Sequence, residues 1–434
     1  MRGLASSKTV KTTGLWFVAI VFVLSAVGSA VAEQYGVIYR FKNTPDGANP
    51  EGDLVSDTSG NLYGTTSGGG TSDSGTVYEL SPPASGNVWT ETVLYSFGEG
   101  NDGRYPLAGL VRDSAGNLFG STFGGGPAGV GTIFELSPPV IIGSPWTETI
   151  LHNFTGGVDG GNPQCKLLLK GGVLFGKGGV LFGTAFSGGE RGWGAVFKLE
   201  ASQSGHWIEQ ELYSFTGGSD GASPWPGLTS DKTGNLYGVT EGSGLNGNGT
   251  AFELSPPATT GAPWTETTLH SFGPSEGENP VGELLLDQSG NVYGMTTIGP
   301  PASGVGSGYG CGVVFQLVPP SIQGGEWTEN LLYTLTGGSD GCNPYSGVIL
   351  DDAGNLLGAN SGDGGLNGNG AVFELSSAGG GIWTETTLHD FAGGNDGLYS
   401  YSTLVRGKAG AYYGTTIEGG SGRDYNGTIF KVIP

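Results

Sequence analysis

The pentapeptide G-N-L-Y-G, or a close variant, ends at Gly64, Gly120, Gly183, Gly238, Gly294, Gly358 and Gly414, at spacings of 56, 63, 55, 56, 64 and 56 residues. A chain that writes one segment seven times at a near-constant interval must stack copies of one structural unit, because a single unit of this size cannot cover its own apolar surface. The two long spacings have local causes. GGVLFGK followed by GGVLFG (Gly171 to Gly183) is a seven-residue tandem duplication, and the 64-residue interval holds a longer loop, Gly299 to Gly310.

Each unit contains four strand-like pieces bounded by turn residues. In the first complete unit these are Leu54 to Asp57, Asn61 to Thr66, Gly75 to Leu80 and Trp89 to Phe97. In the fourth piece, WTETVLYSF, strict alternation places Trp89, Val93, Tyr95 and Phe97 on one face with Glu91 as a polar exception, and Leu94 on the other. Four short antiparallel strands per unit, in tandem, describe a propeller blade. The count of pieces is decisive. The second and third pieces each occur seven times, but the tryptophan-bearing fourth piece occurs six times, at Trp89, Trp146, Trp207, Trp264, Trp327 and Trp383. The last unit stops at Pro434 after its third piece, whereas Tyr35 to Phe41 is a fourth piece with no unit before it. The expected fold is therefore all-β: a seven-bladed β-propeller of four-stranded antiparallel blades, closed by the N-terminal strand completing the last blade. A free sheet edge invites aggregation, and the clasp removes it. A linear solenoid leaves the complementary truncations unexplained.

Residues 1–32 read as a secretory signal peptide, with Arg2, Lys8 and Lys11 before the apolar run Leu15 to Val27 and a small-x-small site at Ala30-Val31-Ala32. Residues 33–434 then form one propeller domain of 402 residues, roughly 57 per blade. Losing the three basic residues takes the formal charge from −22 to −25. That sign disfavours nucleic acid and anionic lipid, and no later run is long and apolar enough to span a membrane. Glycine, 88 of 434 residues, would suggest disorder were it not periodic; here it supplies tight turns. The expected location is outside the cytoplasm of a bacterium: secreted, periplasmic or on the cell surface. A monomer is expected.

Candidate functional residues fall into three groups. A loop of the type G-G-S-D-G-x-x-P follows each fourth piece and supplies Asp46, Asp102, Asp159, Asp220, Glu276, Asp340 and Asp396. Read as a site, these seven carboxylates form an acidic ring at the channel mouth suited to Ca²⁺ or a polar sugar; read structurally, Asp before Gly is a turn residue bonding nearby backbone N–H groups. A second acidic set, Asp57, Asp113, Asp231, Asp287 and Asp351 in D-x-x-G-N, reads as a hairpin turn, with Gly176 and Gly407 in the corresponding places of the remaining units. The features that break the repeat are Arg191-Gly192-Trp193, Arg423-Asp424-Tyr425 and the loop Ile298 to Gly312, expected on the acidic face. The tryptophans read as packing between blades, and His152, His270 and His389 replace the tyrosine of the fourth piece. The three cysteines fit no metal spacing. Cys311 and Cys342 lie at strand ends on one face of the same blade and are a candidate disulfide, leaving Cys165 as a buried thiol.

The unit G-L-V-x-D-x-x-G-N-L-Y-G-T-T-x-G-G-G, then G-T-V-F-E-L-S-P-P, then W-T-E-T-x-L-Y-S-F-x-G-G-x-D-G, resembles the GloVer-type tandem repeat, whose members include exported bacterial proteins called choice-of-anchor proteins. The resemblance implies an exported bacterial propeller and transfers no catalytic residue. The chain ends on a blade strand rather than on a C-terminal anchor. The sequence supports a non-catalytic binding or scaffold propeller engaging a glycan or protein partner. The alternatives are a carbohydrate-active or lactonase-like enzyme with its site at the channel mouth, and a structural or adhesive envelope protein. No Ser-His-Asp constellation or H-x-x-x-H motif is present.

Overall fold

The computed structural model describes residues 34–434 apart from 99–100, 142, 172–178, 203–204, 260, 301–309, 323, 363 and 421–424. The expected signal peptide, Gly176, Arg423, Asp424 and most of the long loop after Ile298 lie outside these residues.

Seven four-stranded antiparallel sheets follow one another along the chain. In blade 1 the strands run from the axis outward as Val55–Ser56, Leu62–Thr66, Thr76–Ser81 and Thr90–Ser96. Blade 7 takes its three inner strands, Val405–Arg406, Tyr412–Thr416 and Thr428–Ile433, from the C-terminus and its outer strand, Gln34–Arg40, from the N-terminus. Gln34 pairs with Ile433 and Arg40 with Thr428, so the clasp runs the full length of its partner. Seven apolar clusters lie at the seven blade junctions. The cluster joining blade 7 to blade 1 brings Phe41, Leu54, Tyr78 and Leu80 against Tyr413 and Ile429, and closes the ring.

The structure corrects one expectation about the outer strand. In each blade a β-bulge interrupts the pairing of third and outer strands: Val77 pairs with Tyr95 but Tyr78 with Val93, leaving Leu94 as the extra residue. One inserted residue inverts the faces of everything beyond it. Trp89, Glu91 and Val93 therefore face the preceding blade, whereas Tyr95 and Phe97 face the following one, where Phe97 meets Phe134 edge-on at 5.1 Å. Leu94 is drawn inward and buried. The half-buried tryptophans pack backward across the junctions, Trp89 on Tyr413 and Trp207 on Phe119. The D-x-x-G-N turns form as expected, with the Asp57 carboxylate accepting from the Gly60 and Asn61 amides at 2.8 and 2.9 Å, and Gly60 at φ +95°.

Cys311 and Cys342 are joined in a disulfide with a Cα–Cα distance of 4.4 Å, and Cys165 is a free, buried thiol. Closing this 31-residue separation restricts the unfolded chain by about 3–4 kcal/mol on the loop-entropy model.

Ring closure gives a direct prediction. Removing Gln34 to Phe41 strips the partner from Thr428–Ile433 and deletes Phe41, a buried aromatic whose truncation alone costs about 3–5 kcal/mol. The shortened protein should melt at lower temperature and self-associate on size-exclusion chromatography. An equally stable monomer would contradict the clasp.

Candidate functional site

The inner strands enter the channel through a segment with one grammar in every blade: a proline (Ser400 in blade 7), a variable residue, a small residue, a second variable residue and a buried aliphatic. Blade 1 reads P-E-G-D-L from Pro50, and blade 4 reads P-W-P-G-L from Pro224. The third position is glycine in blades 1 and 5, where inner strands of adjacent blades touch: a Cβ on Gly52 would lie 2.5 Å from the Ala108 carbonyl carbon; the other blades hold Ala108, Cys165, Pro226, Ser346 and Ser402 there. The flanking variable residues point at the axis. The upper ring comprises Glu51, Leu107, Gln164, Trp225, Val281, Tyr345 and Tyr401, and the lower ring includes Asp53, Lys166, Glu283 and Thr403. At the upper position the seven repeats differ freely; at the lower one blades 2, 4 and 6 keep glycine, since a Cβ on Gly109 would lie 2.6 Å from the Asp53 carbonyl oxygen, and the other four blades differ.

The upper ring is strongly asymmetric. Trp225, Tyr345 and Tyr401 form a continuous aromatic wall, with ring centroids 6.1 and 4.8 Å apart, and Phe186 meets the edge of Trp225 at 6.3 Å. Gln164 and Glu51 also line the mouth. Burial raises the Glu51 carboxyl above the usual carboxylate range, partly offset by the Ser67 hydroxyl donating to Oε1 at 2.7 Å. Burial likewise pushes the Tyr401 hydroxyl up to about 12, so it remains a neutral donor. The space inside the mouth amounts to about 90 Å³, well below the roughly 300 Å³ at which small-molecule pockets begin. A ligand must therefore rest on the mouth rather than be enclosed by it.

Beneath the aromatic wall the lower ring forms a charged strut. Lys166 Nζ reaches Glu283 Oε2 at 3.0 Å and Asp53 Oδ2 at 3.4 Å, joining blades 3, 5 and 1 across the axis. The Thr403 amide donates to Asp53 Oδ1 at 2.6 Å, and the Gly347 amide donates to the Thr403 hydroxyl. Burial alone would lower the Lys166 ammonium, but the two carboxylates outweigh it and hold the group firmly protonated. Below the strut the channel is lined mainly by aliphatics, among them Leu168, Leu285, Ile349 and Val405.

The residues singled out from sequence lie elsewhere. None of the seven loop acids lines the channel mouth. Each sits at its own blade junction, beside the outer strand. Asp46 accepts from the Tyr39 hydroxyl at 2.9 Å and the Lys42 amide at 3.0 Å; Asp220 and Asp340 repeat this with Tyr213 and Thr216, and with Tyr333 and Thr336. Asp102 does so with Tyr95 and Gly98, Asp159 with His152 and Thr155, and Asp396 with His389 and Ala392. The six aspartates thus tie down their own loops, and among the described residues none of them joins a group of three metal-ligating side chains. Arg191 is exposed, and the half-exposed Trp193 lays its ring over Gly217 in the loop of its own blade, away from the axis. Tyr425 is exposed. The mouth residues were missed because they occupy a regular place in the repeat; the signal was their disagreement from unit to unit.

The bulge has an electrostatic consequence at the junctions. Each outer-strand glutamate faces the loop acid of the preceding junction: Glu91 faces Asp46, Glu148 Asp102, Glu209 Asp159 and Glu266 Asp220. Burial, reinforced by the facing carboxylate, raises all four carboxyls to about 7 (for Glu266 against a hydrogen bond from Thr268). In the unfolded chain such groups release their protons near pH 4.3. The folded state therefore binds more protons between about pH 4.5 and 7, and stability falls as pH rises through that window. His152 and His270, which burial pushes below the ordinary imidazole range, act with the opposite sign, so the test is comparative. The quadruple variant E91Q/E148Q/E209Q/E266Q should lose less melting temperature than the parent between pH 5 and 8. Parallel curves would refute the assignment. A second prediction concerns the strut, whose three side chains remain 15–28% exposed through the channel. Lys166→Met should destabilise by about 2 kcal/mol, at the low end for a broken ion pair because water reaches it, as read by chemical denaturation.

Residues 20–177 and 170–307 match the model of the Gloeobacter/Verrucomicrobia repeat. No curated protein matches the chain. Among solved structures, the chain is similar to a protein of unknown function from Dyadobacter fermentans DSM 18053 (11% identity, 93% of this chain and 100% of that one, TM-score 0.44). It is also similar to an ulvan lyase of polysaccharide lyase family PL25 (13%, 91% and 94%, TM-score 0.49) and to the BP39L lectin from Burkholderia pseudomallei (10%, 85% and 92%, TM-score 0.48). No residue role is carried over from them.

Proposed function

The chain belongs to the Gloeobacter/Verrucomicrobia repeat family, and from that footing we propose that it is an exported binding propeller that takes a saccharide on the aromatic wall of its channel mouth. The observation that carries this reading is the wall itself. Three large aromatics from blades 4, 6 and 7 occupy one repeat position and adjoin one another. A pyranose ring offers an apolar C–H face to such a surface and hydroxyls at its edge. The Tyr401 hydroxyl, the Gln164 carboxamide and the Glu51 carboxyl stand around the wall to exchange hydrogen bonds with them. The small enclosed volume suits one residue, or the end, of a longer chain whose remainder stays in solvent. The strut below engages Lys166, Asp53 and Glu283 with one another, which favours holding a ligand over transforming it.

One feature favours a carbohydrate-active enzyme as a second reading: Glu51 carries a raised carboxyl at the rim, the property of a general acid. One experiment separates the two. Mature protein is screened against immobilised polysaccharides and a glycan array, and retained ligands are incubated with it and analysed for cleavage by mass spectrometry. Retention without cleavage is expected. Trp225→Ala and Tyr401→Ala should each weaken retention about tenfold, equivalent to ~1.4 kcal/mol. Cleavage products lost in Glu51→Gln would establish the enzyme. Retention that both aromatic variants leave unchanged would move the site off the mouth.

A further inference from the structure

Six of the seven blade junctions use their loop carboxylate in one way, and the junction between blades 4 and 5 does not. In the six, an aspartate five residues after the buried outer-strand aromatic or leucine accepts from a backbone amide four residues before it. In the seventh the loop runs F-G-P-S-E-G from Phe272, one residue shorter, and the acid is Glu276. The amide four residues back now belongs to Phe272 and already donates to the Gly249 carbonyl at 3.0 Å. With that donor gone and one methylene added, the Glu276 carboxylate turns instead toward the imidazole of His270, its Oε2 3.4 Å from Nε2.

A third group completes the arrangement. Glu329, on the outer strand Thr328–Thr334 of blade 5, brings Oε2 to 3.8 Å from the same imidazole nitrogen. The three ligand atoms lie within 4.8 Å of one another. The Glu329 side chain is only 9% exposed, and its other oxygen is buried with no hydrogen-bond partner; nor does His270 Nε2 make a hydrogen bond. Two carboxylates converge on one imidazole nitrogen, and among the described residues no donor other than that imidazole serves them, so the group these atoms suit is a cation.

We infer that His270, Glu276 and Glu329 form a binding site for one first-row divalent cation, zinc foremost, across the junction of blades 4 and 5. Zinc–nitrogen and zinc–oxygen bonds of about 2.0–2.1 Å place tetrahedral ligands about 3.3–3.4 Å apart, close to the 3.4 and 3.8 Å found here. An imidazole with two carboxylates suits zinc, whereas calcium and magnesium prefer all-oxygen shells. This differs from the Ca²⁺ reading of the seven-acid ring, since among the described residues a single junction carries the site. Glu276 is 40% exposed, so the cation has a route in and water can take the fourth position. The molecule holds its own control. His152, Asp159 and Glu209 place an imidazole and two carboxylates at the junction of blades 2 and 3, with aspartate where Glu276 stands, but there the Asp159 carboxylate is taken by the Thr155 amide and hydroxyl.

The test is calorimetric titration of untagged, chelator-stripped protein with zinc chloride, using the parent and E276Q, E329Q, H270Y and H152Y. The parent should take up one equivalent and melt at higher temperature with zinc, because the cation binds only the folded junction. E276Q, E329Q and H270Y should bind about tenfold more weakly or worse, and H152Y as the parent does. Tyrosine already occupies the His270 position at four junctions, and E276Q alters an exposed loop side chain. Loss of binding with an unchanged metal-free melt therefore reports on the site rather than on folding. A parent that takes up no zinc, or variants that bind like the parent, would overturn the inference.

Discussion

A four-stranded blade has two apolar faces and can cover neither by itself. Every feature of this protein depends on that constraint. Leu80 and Tyr78 of blade 1 are fully buried only because Tyr413 and Ile429 of blade 7 stand against them. The same dependence passes around the ring, and a linear stack would leave two faces in water. Closure is thus enforced by the burial of apolar surface, and pairing Gln34–Arg40 with the C-terminal strand is how the chain satisfies it without leaving a bare edge.

The constraint also explains where sequence freedom resides. Residues that face a neighbouring blade repeat nearly unchanged, because each must fit a partner that is itself a repeat. Residues that face the axis meet a few counterparts on other blades and the nearby loops rather than a repeated partner face. Glu51, Gln164, Trp225 and Tyr401 are equivalent in backbone position and unlike in chemistry. A symmetric scaffold can therefore carry an asymmetric surface at the channel mouth, while glycines such as Gly52 and Gly109 keep the close contacts between inner strands. The charged strut follows the same logic: Lys166 reaches blades 1 and 5, which are not its neighbours, so it braces the ring across its diameter.

Much of the fold was legible in the sequence because the information was written seven times. The blade count, the strand boundaries and the clasp all follow from repeat spacing and from the two complementary truncations. The site was less legible, for reasons that are physical. Strict alternation placed Tyr95 and Glu91 on one face, and a one-residue bulge, invisible in composition, put them on opposite sides of the blade. The loop aspartates drew attention because acidic residues recur there, yet recurrence itself marks a structural task, and Asp46 and Asp220 perform it through backbone amides. Trp193 drew attention as an irregularity but covers its own loop. The axial residues look ordinary one blade at a time and become informative only when the seven units are compared position by position.

The junctions between outer strands show how a repeated structural device can become a chemical one. Facing Glu91 with Asp46 is electrostatically unfavourable, and the fold accommodates it by burial that leaves the glutamate partly protonated near neutral pH while the aspartate is held by hydrogen bonds. The arrangement works while the loop supplies a donor to the aspartate. At the junction of blades 4 and 5, deletion of one loop residue removes that donor, and lengthening of the acid by one methylene carries its carboxylate to His270. Neither change disturbs the strands, since Phe272 keeps its hydrogen bond to Gly249 and its burial. The charge once balanced by a backbone amide is then left facing an imidazole and a second carboxylate. In a repeat protein, a new site needs only this much: one copy released from the local bond that confines the other six.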